Sequence, residues 1–329
     1  MRRFFSMLFL LSAVLAVAGA GAGLWIYGEF TKPGPLASDT VIIIEPGSGV
    51  STIARQLASN GVIADALVFQ LGARFLSDET AMKAGEFLFP ERTSGRDAVR
   101  LLQYGKTVVH RITFAEGLTS FEIAEQLART KGLVGTLAAP VPEGVLLPET
   151  YHFSYGGRRA DMIQRMRENM AQLIADLWAG REQGLPFASP QEAVVLASIV
   201  EKETGVASER ARVAGVFINR LRKGMRLQSD PTVVYGLTNG KGPLGRPLRR
   251  SELKRETAYN TYVIKALPPT PIANPGREAL HAVLHPMQTD EFYFVADGSG
   301  GHVFAKTLAE HNRNVARWRK IEKDRKSGG

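Results

Sequence analysis

Cysteine is absent from this chain. Disulfides, thiol nucleophiles and thiolate-ligated zinc are therefore excluded. No Gly-x-Ser-x-Gly elbow announces a serine hydrolase. The glycine-rich stretch Asp297-Gly298-Ser299-Gly300-Gly301-His302 lacks the Gly-Lys-Ser/Thr ending and following helix of a phosphate loop. Set between Phe292–Val295 and Val303–Phe304, it reads as a hairpin turn. His281 and His285 have helical i, i+4 spacing, but no metalloprotease Glu and no third ligand accompany them. No metal is expected, and no motif asks for a cofactor. A nucleophile–base pair is missing too, which leaves a protease poorly supported. Long apolar runs are missing everywhere except at the N-terminus.

What remains is an ordinary folded composition with a basic excess. The 329 residues are 44% hydrophobic, enough apolar material for two or more cores. A net charge of +9 points to an anionic partner such as lipid, nucleic acid or a cell-wall polymer. The N-terminus narrows that choice. Arg2 and Arg3 precede 21 uncharged residues from Met7 to Tyr27, about the length that crosses a bilayer core as a helix. The arginines predict a cytoplasmic N-terminus and an exported body. A cleaved signal peptide is the alternative, given the small-residue sites Ala16-Val17-Ala18 and Ala20-Gly21-Ala22. The apolar run nevertheless continues through Leu24, Trp25, Ile26 and Tyr27, whose aromatics suit an interfacial belt. A retained single-pass anchor is expected. The basic cluster Arg246, Arg249, Arg250, Lys254 and Arg255 reads as a solvated face; on an exported body it would meet wall polymer or lipid headgroups, not nucleic acid.

Past a short linker at Thr31–Pro35, Val41–Ile44 reads as a strand ended by Pro46-Gly47. Helices follow around Ile53–Ala58 and Asp65–Phe75, then a strand at Gly85–Phe89. The opening of this strand–helix–helix–strand unit recurs 70 residues later: Gly117 to Ala128 matches Gly47 to Ala58 at the glycine and at Ile-Ala-x-Gln-Leu-Ala. Such units resemble the LysM-like fold, which lies along glycan chains containing N-acetylglucosamine. A generic strand–turn–helix entry explains the same residues without glycan. The proline-rich Ala139–Pro148 marks a boundary, helices run from about Ala160 to Trp178, and Gln183-Gly184-Leu185-Pro186 is a second break.

The next helix carries the chemistry. Ser189-Pro190-Gln191-Glu192 reads as N-cap, first-turn proline and capping-box Glu, and Gly205 as the stop. Stepping about 100° per residue from Val194, the residues Val195, Leu196, Ile199 and Val200 cluster near about 170°, with Glu203 at about 180° and Glu201 at about 340°. Glu203 thus falls on the face that should be buried, and Glu201 on the far side. A carboxyl held against apolar surface has its pKa raised and can act as a general acid. The plainer alternative is an end-of-helix Glu fraying into solvent.

Other residues could bind sugar. A second amphipathic helix spans about Ser208 to Lys223, and the polar turn after it offers Gln228 and Asp230 to sugar hydroxyls; equally, Asp230 could cap a helix starting at Pro231. Ala258-Tyr259-Asn260-Thr261-Tyr262 sets aromatic faces beside an amide, as a sugar ring requires. The alternative is a buried turn in which Asn260 satisfies backbone groups. Leu267–Gly276 is a stiff extended loop leading to a helix.

Taken together, Ala197–Thr204, Val216–Leu221, Leu227–Gly236, Tyr259–Tyr262, Leu267–Pro269, Ile272–Gly276, Tyr293–Gly298, Gly300–Phe304 and His311-Asn312 make the chain similar to the endolytic murein transglycosylase (YceG-like) family over nearly its whole length. The resemblance implies a membrane-anchored enzyme that cuts nascent peptidoglycan strands internally. It implies Glu203 as catalytic acid/base, with Glu201 as runner-up. With a single carboxyl, in place of the usual glycosidase pair, the family uses the substrate's own 6-hydroxyl as nucleophile and leaves 1,6-anhydro-N-acetylmuramic ends. Glu203 would act first as acid, then as base. Gln228, Asp230, Tyr259 and Asn260 would orient the sugars.

The expected fold is α+β: a single N-terminal transmembrane helix, LysM-like βααβ modules and a mixed α/β catalytic domain. The expected divisions are 1–28 for the cytoplasmic N-terminus and membrane helix, 29–40 linker, 41–157 LysM-like region with its internal repeat, 158–189 connecting helices, 190–319 catalytic domain and 320–329 charged tail. Expected partners are peptidoglycan glycan strands, the inner membrane through one helix with the body on the periplasmic side, and peptidoglycan synthases. The rival expectation is a non-catalytic glycan-binding scaffold of the wall-synthesis machinery.

Overall fold

The computed structural model describes residues 2–78 and 80–327; residues 1 and 328–329, the outermost positions of the expected anchor and tail ranges, lie outside the described residues. The chain is mixed α+β and divides into two compact units. The first comprises Met1–Arg111 with Gly132–Val134 and His152–Gly157. It contains α1 (Arg2–Thr31), β1 (Thr40–Ile44), α2 (Val50–Ser59), α3 (Ala66–Phe75), β2 (Gly85–Phe89) and α4 (Gly95–Tyr104).

α1 is the one described helix long and apolar enough to cross a membrane; the stretch Phe4–Thr31 has 28 residues. At 1.5 Å per residue it exceeds a hydrocarbon core of about 30 Å. Its last turn is spent inside the protein. Phe30 is 1% exposed and packs edge-on against Phe69. Gly72 and Gly95 make room for it: a Cβ on either would lie 2.3 or 2.7 Å from the Phe30 ring. Leu36 is also buried, so the expected 29–40 linker is anchored at both an aromatic and an aliphatic side chain.

β1 and β2 pair antiparallel with Ile42 opposite Phe87. Ile42, Ile44, Phe87 and Phe89 are buried while Val41 and Leu88 are exposed, the alternation of a half-buried sheet. α2 adds Ile53, Ala54 and Leu57, and α3 starts where Asp65 accepts the Leu67 and Val68 N–H groups. The strand–helix–helix–strand order matches the sequence reading. α4 was not anticipated; its signal is Ser94, whose hydroxyl accepts the Asp97 N–H.

The second unit comprises Ile112–Lys131, Gly135–Tyr151 and Arg158–Gly329. The recurring strand–turn–helix is β3 (Val109–Thr113) and α5 (Ser120–Arg129), with β4 (Leu133–Val134), β5 (Thr150–Ser154) and β6 (Gly157–Arg158) after it; α5 belongs to the second unit and β4 to the first, while β3, β5 and β6 each have residues in both. β3 pairs with β5 and β4 with β6. α6 (Arg159–Ala179), α7 (Pro190–Glu203), α8 (Arg210–Arg222), α9 (Asp230–Thr238), α10 (Arg277–Leu284), β7 (Tyr293–Ala296), β8 (His302–Ala305) and α11 (Leu308–Ser327) follow. The glycine-rich turn closes the expected hairpin, β7–β8, in which Ala296 pairs with His302.

α7 lies at the centre of this unit's core, with Leu173, Val213, Phe217, Ile272, Leu280 and Val283 among the buried side chains clustered with it. Every residue from Ala193 to Val200 is buried. The single apolar stripe expected from the sequence is therefore a helix enclosed on all sides; Val194 and Ala197, outside the stripe, are 1% and 0% exposed. A core helix is apolar all round, and its wheel cannot identify one buried face.

Candidate active site

Local sequence fixes both ends of α7. Ser189 and Glu192 form the expected capping box, with Pro190 in the first turn. The far end departs from expectation. α7 stops because Thr204 turns extended at φ −140° and accepts the Val206 N–H at 3.0 Å on its own hydroxyl; Gly205 does not form a left-handed cap.

Glu203 is the last residue of α7, and its carboxylate accepts a hydrogen bond from the Ser229 hydroxyl. It lines a cleft open to solvent, together with Gln228, Asp230, Tyr262, His302 and His311. Burial pushes its pKa up to about 7, against the Ser229 hydrogen bond and the positive field of His302 and Arg220, with Asp230 adding to the rise. The carboxyl is thus partly protonated near neutrality, and it faces a cavity and not bulk solvent.

Glu201, two residues earlier, points elsewhere. Its side chain is 5% exposed, so the expectation of an open far face is corrected: the N-terminal approach to α10 and the start of α8 cover that side. Its Oε2 accepts the Gly276 N–H at 2.9 Å, and Oε1 lies 3.5 Å from Arg210, which also reaches Glu116 at 3.6 Å. The missing side chain of Gly276 leaves room for Glu116, whose carboxylate would lie 1.8 Å from a Cβ there. Glu201 ties helix ends together and does not line the Glu203 cleft.

Of the expected sugar contacts, Gln228 and Asp230 join Glu203 in the cleft. Gln228 holds φ +54°, a left-handed conformation that costs a non-glycine residue about 1 kcal/mol or more and clusters at functional sites. Its N–H donates to the Thr261 carbonyl at 3.1 Å. Asp230 begins α9, but no side chain caps that helix; the Asp230 carboxylate instead accepts the Tyr262 hydroxyl at 2.6 Å. Ser229 occupies the N-cap position and gives its hydroxyl to Glu203. A helix start has surrendered its cap to the site.

Tyr259 and Asn260 fall outside the cleft lining. Asn260 is 1% exposed, and its Nδ2 donates to the carbonyls of Glu252, Leu253 and Arg255. It builds a buried turn. Tyr259 packs on Tyr235 with ring centroids 4.9 Å apart and planes tilted by 55°, and shares a hydrogen bond of 2.7 Å with Thr270.

Of the two aromatics that the sequence offered around Asn260, Tyr262 lines the cleft and Tyr259 does not; sequence reasoning missed Ser229, Arg220, His302 and His311 as site residues. Arg220 is 6% exposed, its Nε donating to the Phe292 carbonyl at 2.6 Å and its Nη1 to Leu227 at 2.7 Å; burial lowers its pKa. His311 stacks on Tyr293 at 5.1 Å, with its pKa lowered by burial and by Arg220. Nothing in local spacing distinguishes these residues from core or surface ones. They converge only because the β7–β8 hairpin and α11 reach the end of α7.

Comparison with known proteins gives this geometry a family. The YceG-like family model matches residues 42–317. The chain is 30% identical over 325 residues to the endolytic murein transglycosylase of Bacillus subtilis, covering 88% of this chain and 89% of that protein. It is 27% identical over 322 residues to the endolytic murein transglycosylase of Streptococcus pneumoniae strain D39, covering 83% of this chain and 57% of that longer protein. Among solved structures, a YceG-like protein of Listeria monocytogenes superposes with a TM-score of 0.51 at 29% identity, covering 84% of this chain and 98% of that one. The chain belongs to the YceG-like family.

Proposed function

We propose that this protein is a lytic transglycosylase of peptidoglycan, held at the inner membrane by α1 with its body on the periplasmic side. The observation that carries the reading is one carboxyl, Glu203, kept near half-protonation by burial at the floor of an open cleft, in a chain whose relatives are named for murein transglycosylation. Glu203 donates its proton to the glycosidic oxygen between N-acetylmuramic acid and N-acetylglucosamine. The 6-hydroxyl of the same muramyl sugar attacks C1, closing a 1,6-anhydro ring without water. An attached nucleophile has the advantage of an intramolecular reaction. Glu203 ends the cycle by regaining a proton.

Gln228 and Asp230 orient the sugars from within the cleft; Tyr259 and Asn260 support them through the turn whose Thr261 carbonyl accepts the Gln228 N–H. Asp230 is a second carboxylate in the cleft, so the number of carboxylates does not separate this chemistry from hydrolysis; the products do. The βααβ arrangement of β1, α2, α3 and β2 supports a LysM-like module that holds nascent strands, and residues 190–319 form the catalytic domain. Internal cleavage would terminate strand elongation beside the peptidoglycan synthases.

The test is digestion of purified peptidoglycan by wild type and Glu203→Gln, read by mass spectrometry. Anhydro-muramyl ends from wild type alone are expected. Hydrolytic reducing ends would overturn the transglycosylase assignment, and equal behaviour of the two proteins would favour a scaffold. Alanine at Gln228, Asp230 or Tyr259 lowers turnover per folded molecule, and an unchanged rate removes that residue from the site; Asn260→Ala acts through folding.

A further inference from the structure

The cleft contains a second proton-handling group that the single-carboxylate scheme leaves idle. His302 opens β8 and lines the cleft beside Glu203. Its far side is clamped. Glu209, at the start of α8, accepts the His302 backbone N–H at 3.0 Å on Oε1 and meets the ring Nδ1 at 2.8 Å on Oε2. The imidazole side chain is 15% exposed, and Phe294 stands perpendicular to it at 5.3 Å. The clamp is built into the backbone. A Cβ on Gly301 would lie 2.7 Å from Glu209 Oε1, so the glycine leaves room for the carboxylate beside the residue after it. The hairpin turn is fixed in turn by Asp297, which accepts the Ser299 N–H and hydroxyl, both at 2.7 Å.

A carboxylate accepts only, so Nδ1 must carry the hydrogen. In the neutral ring that leaves Nε2 as a lone-pair acceptor on the side away from Glu209. A carboxylate that fixes the tautomer and aim of an imidazole base is the arrangement that makes histidine a general base.

We propose that the Glu209–His302 pair is the base of the reaction, taking the proton of the attacking hydroxyl at His302 Nε2. The inference rests on the transglycosylase reading and completes it. The Glu203 proton goes to the departing sugar oxygen as the C1–oxygen bond breaks. The muramyl O6 forms the new bond to C1, and its proton passes to Nε2. The imidazolium then returns that proton to the Glu203 carboxylate, so that both groups are restored and no water is consumed. Glu203 and His302 share the cleft, and the imidazolium formed when Nε2 takes the proton favours the carboxylate left by the acid. Glu209 touches no substrate and acts as a positioning residue.

The experiment compares wild type, His302→Ala and Glu209→Gln on purified peptidoglycan, with the thermal melt of each recorded and imidazole titrated into the assay. Removal of a general base lowers turnover by about 10²–10³-fold. His302→Ala is expected to show that loss in kcat with KM little changed, to be rescued tenfold or more by imidazole, and to leave the same anhydro ends. Glu209→Gln is expected to lose about tenfold, as loss of an orienting carboxylate does. His302→Ala at wild-type turnover, or a folded His302→Ala that imidazole does not rescue, overturns the base assignment and leaves the proposed function standing. A wild type that yields no anhydro ends overturns the function itself and the base with it.

Discussion

Glu201 and Glu203 are two residues apart on one helix and live in opposite worlds. Glu201 is surrounded by donors: the Gly276 N–H and the Arg210 guanidinium reach its two oxygens. Glu203 has the Ser229 hydroxyl and an open cleft. Burial raises the pKa of both. The difference lies in what stands in front of them. A buried carboxylate with its acceptor sites filled is a structural tie; a buried carboxyl facing a cavity has a proton that a substrate can take.

The largest effect that tests this contrast is Glu203→Gln. Turnover on peptidoglycan is expected to fall by about 10²–10⁴-fold with no loss of melting temperature. The same variant reports on stability. A carboxyl raised from 4.5 to about 7 holds its proton more tightly folded than unfolded. Its contribution is full below about pH 4.5 and is lost as pH rises through about 7. Glu203→Gln is therefore expected to gain stability relative to wild type between pH 5 and pH 8, by about 3 kcal/mol at most, in paired denaturant titrations. A constant difference would contradict the raised pKa.

Glu201→Gln is the mirror experiment. It weakens the tie to Arg210 and is expected to cost about 1–3 kcal/mol, measured as a lower denaturation midpoint, with turnover per folded molecule within a few-fold of wild type. A folded Glu201→Gln that has lost activity as completely as Glu203→Gln would abolish the distinction.

Two smaller changes sharpen it. Ser229→Ala removes the hydrogen bond that holds the Glu203 pKa down, so the alkaline limb of the pH–rate profile is expected to move upward, with turnover reduced about tenfold or less. Asn260→Ala leaves the Glu252, Leu253 and Arg255 carbonyls without their donor. It is expected to cost about 1–3 kcal/mol and to reduce activity only in proportion to the folded fraction. The same loss at full folding would place Asn260 in the chemistry.

Much of this site was legible in the sequence, for uneven physical reasons. The capping box at Ser189 and Glu192 is local chemistry, and it appears as read. Glu203 was singled out by a helical wheel whose premise fails, because α7 is buried all round; the residue survives because it sits where the helix core ends and the cleft begins. Gln228 and Asp230 lie in one polar turn and arrive together. Asn260 offered an amide among aromatics, and the fold spends that amide on backbone carbonyls instead. Asp230 looked like a helix cap, but Ser229 takes the N-cap position and turns its hydroxyl to Glu203. His302 and Glu209 are 93 residues apart, so no spacing rule could pair them. The same holds for Phe30: the sequence marks a membrane helix and a proline-rich exit, but only the packed unit shows that the helix ends inside the core.

The proposed reaction requires that the Glu203 carboxyl keep its proton into the neutral range. The direct measurement is a pH titration of the side-chain carboxyl ¹³C resonance in protein labelled at glutamate, assigned by its disappearance in Glu203→Gln. A midpoint near 7 is expected. A midpoint at the ordinary glutamate value of about 4.3 would contradict the account.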